Sequence, residues 1–253
     1  MSHHLLVHGR RLEYRWWPPS SPPAATPLLL LHEGLGSVGL WRDFPEALAA
    51  RTGRATAAYS RLGHGASDPR GTALDIDFMH EEAERVVPSV LDALGLDRAV
   101  LVGHSDGASI ALLYAATHDL PGLVVLAPHT FVEESGLREI ARTRTAYEEG
   151  LRERMARHHR DPDVVFRNWN DVWLHPGFLA WNIERALPRV TCPVLVIQGE
   201  ADEYGTAKQV EAIAAGVGGA VETVWLGDCG HSPHRDQPAA VLDAVAAFLA
   251  AHT

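Results

Sequence analysis

A serine hydroxyl is a weak nucleophile at neutral pH and attacks a carbonyl only when a positioned base takes its proton. The string Gly103-His104-Ser105-Asp106-Gly107 offers such a serine in a telling place. It begins where the apolar run Val100-Leu101-Val102 ends and opens a helix-like stretch from Ala108 to Ala116. A G-x-S-x-G string alone carries little information. Set between a strand and a helix, it has the context of a sharp turn that pushes the hydroxyl out at the edge of a sheet. The plainer reading is a tight turn whose serine caps the helix.

The base and its orienting acid must come from elsewhere in the chain. Among fifteen histidines, His231 follows a strand-like run in Gly227-Asp228-Cys229-Gly230-His231, with His234 as its nearest rival. Asp202 lies just past Val194-Leu195-Val196-Ile197-Gln198-Gly199 and is the expected acid, with Asp228 as competitor. Acyl transfer also needs N–H groups to hold an oxyanion. The loop His32-Glu33-Gly34-Leu35-Gly36-Ser37 supplies one at Gly34, with Leu35 as the alternative, and the residue after the serine, Asp106, supplies the other.

These residues must be held by a scaffold, and the pattern of the chain describes one. Residues 5–7 and 12–17 flank His8-Gly9-Arg10 as a hairpin, and a Pro- and Ser-rich linker follows at 18–27. The continuous apolar run at 28–31 reads as a strand buried on both faces, and further strand-like stretches lie at 55–59, 99–102, 123–127, 194–197 and 221–226. Helical patterns lie between them at 41–50, 76–94, 105–117, 207–215 and 239–251, with a kink expected at Pro88. Such alternation implies βαβ units and a parallel sheet. Residues 133–189 break the rule: they carry no strand-like run and read as three helices split near Asp161-Pro162 and His175-Pro176-Gly177. That stretch is too long for a connection and reads as a lid.

Composition sets outer bounds. The 253 residues are 46% hydrophobic and 21% charged, an ordinary globular balance. With 22 basic and 32 acidic residues the net charge is −10, which speaks against a nucleic-acid partner. No apolar run approaches a membrane span and no signal-peptide pattern opens the sequence, so a cytoplasmic protein is expected. Cys192 and Cys229 fall at opposite ends of neighbouring strands and are expected to stay unbridged. His231-x-x-His234 and His158-His159 lack a convincing third ligand, so neither a metal nor a cofactor is expected.

Ser105, Asp202 and His231 occur in the chain order nucleophile, acid, base. With the first hairpin, the glycine loop and the turn around Ser105, this order resembles the α/β-hydrolase superfamily along essentially the whole chain, in its lid-bearing branch. That branch includes esterases, C–C hydrolases of meta-cleavage products, cofactor-free haloperoxidases and a menaquinone-pathway synthase. The resemblance implies an eight-stranded, mostly parallel sheet flanked by helices. The core would span residues 1–132 and 190–253, with a helical cap at 133–189 after the sixth strand. Two departures stand out. Glu33 occupies a position usually held by glycine, and Ser60-Arg61-Leu62-Gly63-His64-Gly65-Ala66-Ser67 has Ser60 and Leu62 where the family's D-x-R-G-x-G-x-S string has Asp and Arg. A buried Glu33 needs a partner, and Arg61 is the candidate.

The leading functional expectation is a serine hydrolase of a small carboxylic ester, thioester or lactone. C–C bond hydrolysis or lyase chemistry is the alternative, favoured if an arginine faces Ser105. A small-molecule receptor that uses the pocket without turnover is the third. Glu33, Leu35, His129, Trp169 and Trp173 are the candidate pocket residues for a substrate with an apolar or aromatic part. Core packing is the competing role for the two tryptophans, which lie four residues apart on one helix face. Oligomeric state is not legible from the sequence.

Overall fold

The computed structural model describes residues 3–19 and 25–253; residues 20–24 of the expected linker lie outside the described residues. Strand β1 (His3–Val7) pairs antiparallel with β2 (Arg10–Trp17) across a two-residue turn. Both turn residues, His8 and Gly9, have positive φ (48° and 74°), the geometry that matches the twist of a hairpin.

The remaining strands are β3 (Leu28–Leu31), β4 (Thr56–Tyr59), β5 (Val100–His104), β6 (Leu123–Leu126), β7 (Val194–Gly199) and β8 (Val221–Leu226). Together the eight form one sheet in the order β1-β2-β4-β3-β5-β6-β7-β8. Only the β1–β2 and β2–β4 pairs are antiparallel; the rest of the sheet is parallel. Side chains alternate across it. Leu28 and Leu30, with Val100 and Val102, face one core, whereas Leu29, Leu31 and Leu101 face the other.

Helices α1 (Phe44–Thr52) and α10 (Pro238–His252) cover the first face. The second is covered by α2 (Phe78–Glu81), α3 (Val87–Leu94), α4 (Asp106–Ala115) and α8 (Ala207–Gly216). The short α9 (Pro233–Asp236) precedes α10. The kink expected at Pro88 takes a particular form: a π-helical turn at Glu82–Val86 separates α2 from α3. Proline has no N–H to donate and its ring crowds the preceding turn, and the wider turn relieves both.

Between β6 and β7 the described residues form one isolated bridge, Phe131 with Asn182, and otherwise helices. These are α5 (Glu134–Ala146), α6 (Arg152–Met155) and α7 (Pro162–Trp173), with 3₁₀ turns at Pro176–Ala180 and Glu184–Arg189. Gly150, at φ 116°, bends the chain between α5 and α6. Asp161 caps α7 by accepting from the Val164 N–H at 3.0 Å, the break expected at Asp161-Pro162. The helices are tied by Arg152, which donates twice to the Asp163 carboxylate (2.9 and 2.7 Å), and by Tyr147, whose hydroxyl donates to the same group at 2.6 Å. Buried Asn170 on α7 donates to the Ile140 carbonyl of α5 at 2.8 Å.

Helix α4 approaches the sheet so closely that no side chain fits at Gly107, its second residue. A Cβ on Gly107 would lie 2.0 Å from the Leu31 carbonyl oxygen, and one on Gly103 would lie 2.3 Å from the Gly107 oxygen. Both obstacles are backbone, which cannot swing aside. Gly107→Ala is therefore expected to destabilise the fold by about 3 kcal/mol or more, the upper end of overpacking costs. Chemical denaturation checks this, and a change below about 1 kcal/mol would show that the strand and helix separate easily.

Candidate active site

The turn that follows β5 puts Ser105 at φ 53° and ψ −119°, a conformation that non-glycine residues rarely adopt. Such strain is tolerated when the surroundings over-determine it. Here the Ser105 N–H donates to the Leu126 carbonyl at 2.9 Å, while the Ser105 carbonyl accepts from Ala108 and Ser109 at the start of α4. The side chain is thereby turned toward the loops at the carboxyl end of the parallel strands, where ligands bind in open α/β sheets.

Two of those loops complete a hydrogen-bonded line. The loop after β8 carries His231, whose Nε2 is 2.9 Å from Ser105 Oγ. The loop after β7 carries Asp202, whose two carboxylate oxygens each lie 2.9 Å from His231 Nδ1. Asp202 is itself held by the Tyr204 N–H at 2.8 Å and by the Gln198 amide at 2.8 Å. Burial alone would raise its pKa, yet the bond to His231, that ring's charge and the Tyr204 N–H hold it well below the usual carboxylate range. For His231 burial disfavours the charged ring, and the bond and charge of Asp202 outweigh it, so its pKa is raised.

The rival residues fall elsewhere. Asp228 is exposed, at φ 51°. His234 is buried against Trp41 and Phe44, with ring centroids 4.8 and 5.4 Å away. Burial holds its ring well below the usual histidine pKa. His129 does reach the site: its Nε2 is 3.5 Å from Ser105 Oγ and its ring stacks edge-on to Trp173. Burial, aided by nearby His231, drives its pKa to about 3, so it stays neutral.

A cavity of about 430 Å³ opens over Ser105. Glu33, Gly34, Leu35, Asp106, His129, Trp169 and Trp173, each expected near the reacting centre, all line it. Its apolar wall comes mainly from the segment between β6 and β7, through Ile140, Leu151, Met155 and the two tryptophans. Trp169 presses on the glycine loop so tightly that a Cβ at Gly34 would sit 2.2 Å from the indole. Trp173 donates from Nε1 to Asp106 Oδ1 at 3.2 Å. The other Asp106 oxygen is buried without a hydrogen bond, and burial raises this carboxyl to about 6. Trp181 packs instead on Phe178 and Trp173, away from the cavity lining.

The expected pairing of Glu33 with Arg61 needs correction. Arg61 donates to the main-chain oxygens of His32 (2.7 Å) and Glu33 (2.9 Å), while the Glu33 carboxylate faces Arg235 at 3.2 Å and His104 Nδ1 at 3.5 Å. The loop's bend aims the side chain at α9 and β5 rather than at the neighbouring strand. His104 in turn donates from Nε2 to the His231 carbonyl at 2.7 Å. The sequence carried no sign of this link, because it joins residues 127 apart. Arg42, Arg154, Arg157 and Arg235 also line the cavity, which sequence patterns did not reveal.

Among the described residues no group of three or more His, Cys, Asp or Glu is placed to hold a metal ion, and no helix is long and apolar enough to cross a membrane. Cys192 and Cys229 are buried and unbridged.

Known proteins resemble the chain along most of its length. Rat (Rattus norvegicus) monoglyceride lipase is 25% identical over 231 residues, covering 82% of this chain and 75% of that protein. The solved structure described as Est816, an N-acyl homoserine lactone degrading enzyme, superposes with a TM-score of 0.76 at 27% identity, covering 97% of this chain and 100% of the other. Proline iminopeptidase of Mycobacterium smegmatis shares the fold, with a TM-score of 0.73 at 21% identity and coverage of 100% and 98%.

The hydrogen-bonded line makes a prediction that does not depend on any substrate. In wild-type protein His231 should titrate above the usual 6.5 when followed by NMR. Asp202→Asn leaves the burial and removes the charge, so the same ring should then titrate below 6.5. An unchanged titration would mean that Asp202 does not govern His231. The profile of the Alpha/beta hydrolase family matches residues 5–244, and with sheet order, turn and hydrogen-bonded line in agreement the chain belongs to that family of hydrolases.

Proposed function

We propose that the protein hydrolyses a small carboxylic ester, thioester or lactone through an acyl-enzyme at Ser105. The observation that carries this reading is the unbroken contact from Asp202 through His231 to Ser105 Oγ, with 2.9 Å at each step. His231 takes the hydroxyl proton as Oγ attacks the carbonyl, and Asp202 stabilises the imidazolium that forms. The tetrahedral oxyanion is held by the main-chain N–H groups of Gly34 and Asp106. His231 then gives its proton to the leaving alcohol or thiol, and the acyl group stays on Ser105. Water deprotonated by the same ring releases the acid.

Residues 133–189 act as a cap inserted on the core formed by residues 1–132 and 190–253. Its tryptophans shape the apolar part of the cavity, which suits a substrate with an aliphatic or aromatic portion. The similarity to a monoglyceride lipase and to a lactone-degrading enzyme supports ester or lactone chemistry. One observation favours C–C bond cleavage as a second reading. Four arginines line the cavity, and substrates of that chemistry carry a carboxylate for such groups to bind.

Treatment with a fluorophosphonate followed by a panel of esters of increasing chain length tests the proposal. Wild-type protein should be labelled at Ser105 and should turn over at least one ester repeatedly. Ser105→Ala should lose both labelling and turnover while keeping its melting temperature. Undiminished labelling of that variant would place the nucleophile elsewhere, and single-turnover behaviour on every ester would favour a receptor.

A further inference from the structure

The loop at residues 32–35 has every one of its carbonyl oxygens held by a side chain from outside or within it. Arg61 donates to His32 O at 2.7 Å and to Glu33 O at 2.9 Å. His32 Nδ1 donates to Glu33 O at 2.7 Å, His64 Nε2 to Gly34 O at 3.1 Å and His159 Nε2 to Leu35 O at 3.0 Å. Two of the rings have their tautomers fixed by what the second nitrogen accepts. His32 Nε2 receives the Arg61 N–H at 3.0 Å, and His159 Nδ1 receives the Gly65 N–H at 3.0 Å. Burial lowers the pKa of all three histidines, which keeps each ring neutral and able to accept as well as donate.

His159 differs from the others because it belongs to the segment between β6 and β7. That segment docks at the same place through its backbone, since the Arg160 N–H donates to Gly65 O at 3.0 Å. In a trans peptide the C=O of one residue points opposite to the N–H of the next. A bond to Leu35 O therefore sets the direction of the Gly36 N–H. That N–H donates at 3.0 Å to Glu33 O, and the orientation of Glu33 O sets the direction of the Gly34 N–H. The approach is tight: a Cβ on Gly36 would meet the Glu33 carboxylate at 2.5 Å. From His159 to the Gly34 N–H the path crosses two peptide planes, and each hydrogen bond polarises the next.

We infer that His159 is a positioning residue for the oxyanion-binding loop, so that the seating of the segment between β6 and β7 on residue 65 sets the aim of the Gly34 N–H. This rests on the reading of Gly34 as an oxyanion donor. The link joins the part of the chain that lines the apolar wall to the part that stabilises charge. A substrate that seats the segment correctly is then one for which the reaction is accelerated.

Comparison of His159→Leu with His159→Gln tests the inference. Leucine keeps bulk but neither accepts nor donates, whereas the glutamine amide does both. His159→Leu should lower kcat roughly tenfold to a hundredfold, part of what losing an oxyanion donor costs, with KM for the same ester changed less than about threefold. The rate of fluorophosphonate labelling should fall in parallel, since that reaction also places negative charge on an oxygen facing the loop. His159→Gln should recover most of both rates at equal melting temperature. Equal rates for the two variants, or a loss confined to KM or to melting temperature, would overturn the inference and leave the hydrolase reading intact. Absence of labelling in wild-type protein would instead strike at that reading.

Discussion

Everything at the site depends on the backbone contact between β3, β5 and the start of α4. Where Gly103 and Gly107 lack a Cβ, main-chain atoms of Gly107, Ala108, Leu31 and His32 take the space. The chain can then turn within one residue, which forces Ser105 into its strained positive-φ conformation. A looser packing would let Ser105 relax toward ordinary helix geometry and draw Oγ away from His231. The sheet repeats the device at the end of β7. A Cβ on Gly199 would lie 2.3 Å from the oxygens of both Cys229 and Gly230, so the end of β7 presses directly on the loop that bears His231.

On this frame the electrostatics are arranged around one ion-pair partner for His231. Asp202 is buried and ionised, held by an amide and by main-chain N–H groups, and its charge raises His231. Burial keeps His129, His64 and His234 neutral, so these three rings cannot compete as cations. Asp106, next to Ser105, is also buried, and burial raises its carboxyl against the opposing pull of Arg61 and the Trp173 hydrogen bond. Glu33, like Asp202, is held ionised against the cost of burial, here by His104 and then by Arg235.

The sheet and the positions of Ser105, Asp202 and His231 were legible because each is announced locally. An apolar run marks each of the central strands β3, β5, β6 and β7, and a glycine-rich or polar loop at the carboxyl end marks where the chain turns into the site. The isolated bridge between Phe131 and Asn182 and the π-helical turn before Pro88 were not legible in that way. Neither was the network around the glycine loop. Arg61 was expected on the Glu33 carboxylate and lies on carbonyls instead, while the carboxylate found Arg235, 202 residues away. His159 read as half of a weak histidine pair, and its role appears only when the segment bearing it is folded against Gly65. Contacts of that kind are set by loop conformation, which residue spacing does not encode.

The central claim is that Ser105 becomes covalently acylated. Rapid quenching of wild-type protein with an activated p-nitrophenyl ester, followed by mass spectrometry of the digested chain, tests it directly. The account predicts a burst of nitrophenol matched by the mass of one acyl group on the peptide containing Ser105. Steady hydrolysis with no burst and no adduct on that peptide, or an adduct on a different residue, would contradict it.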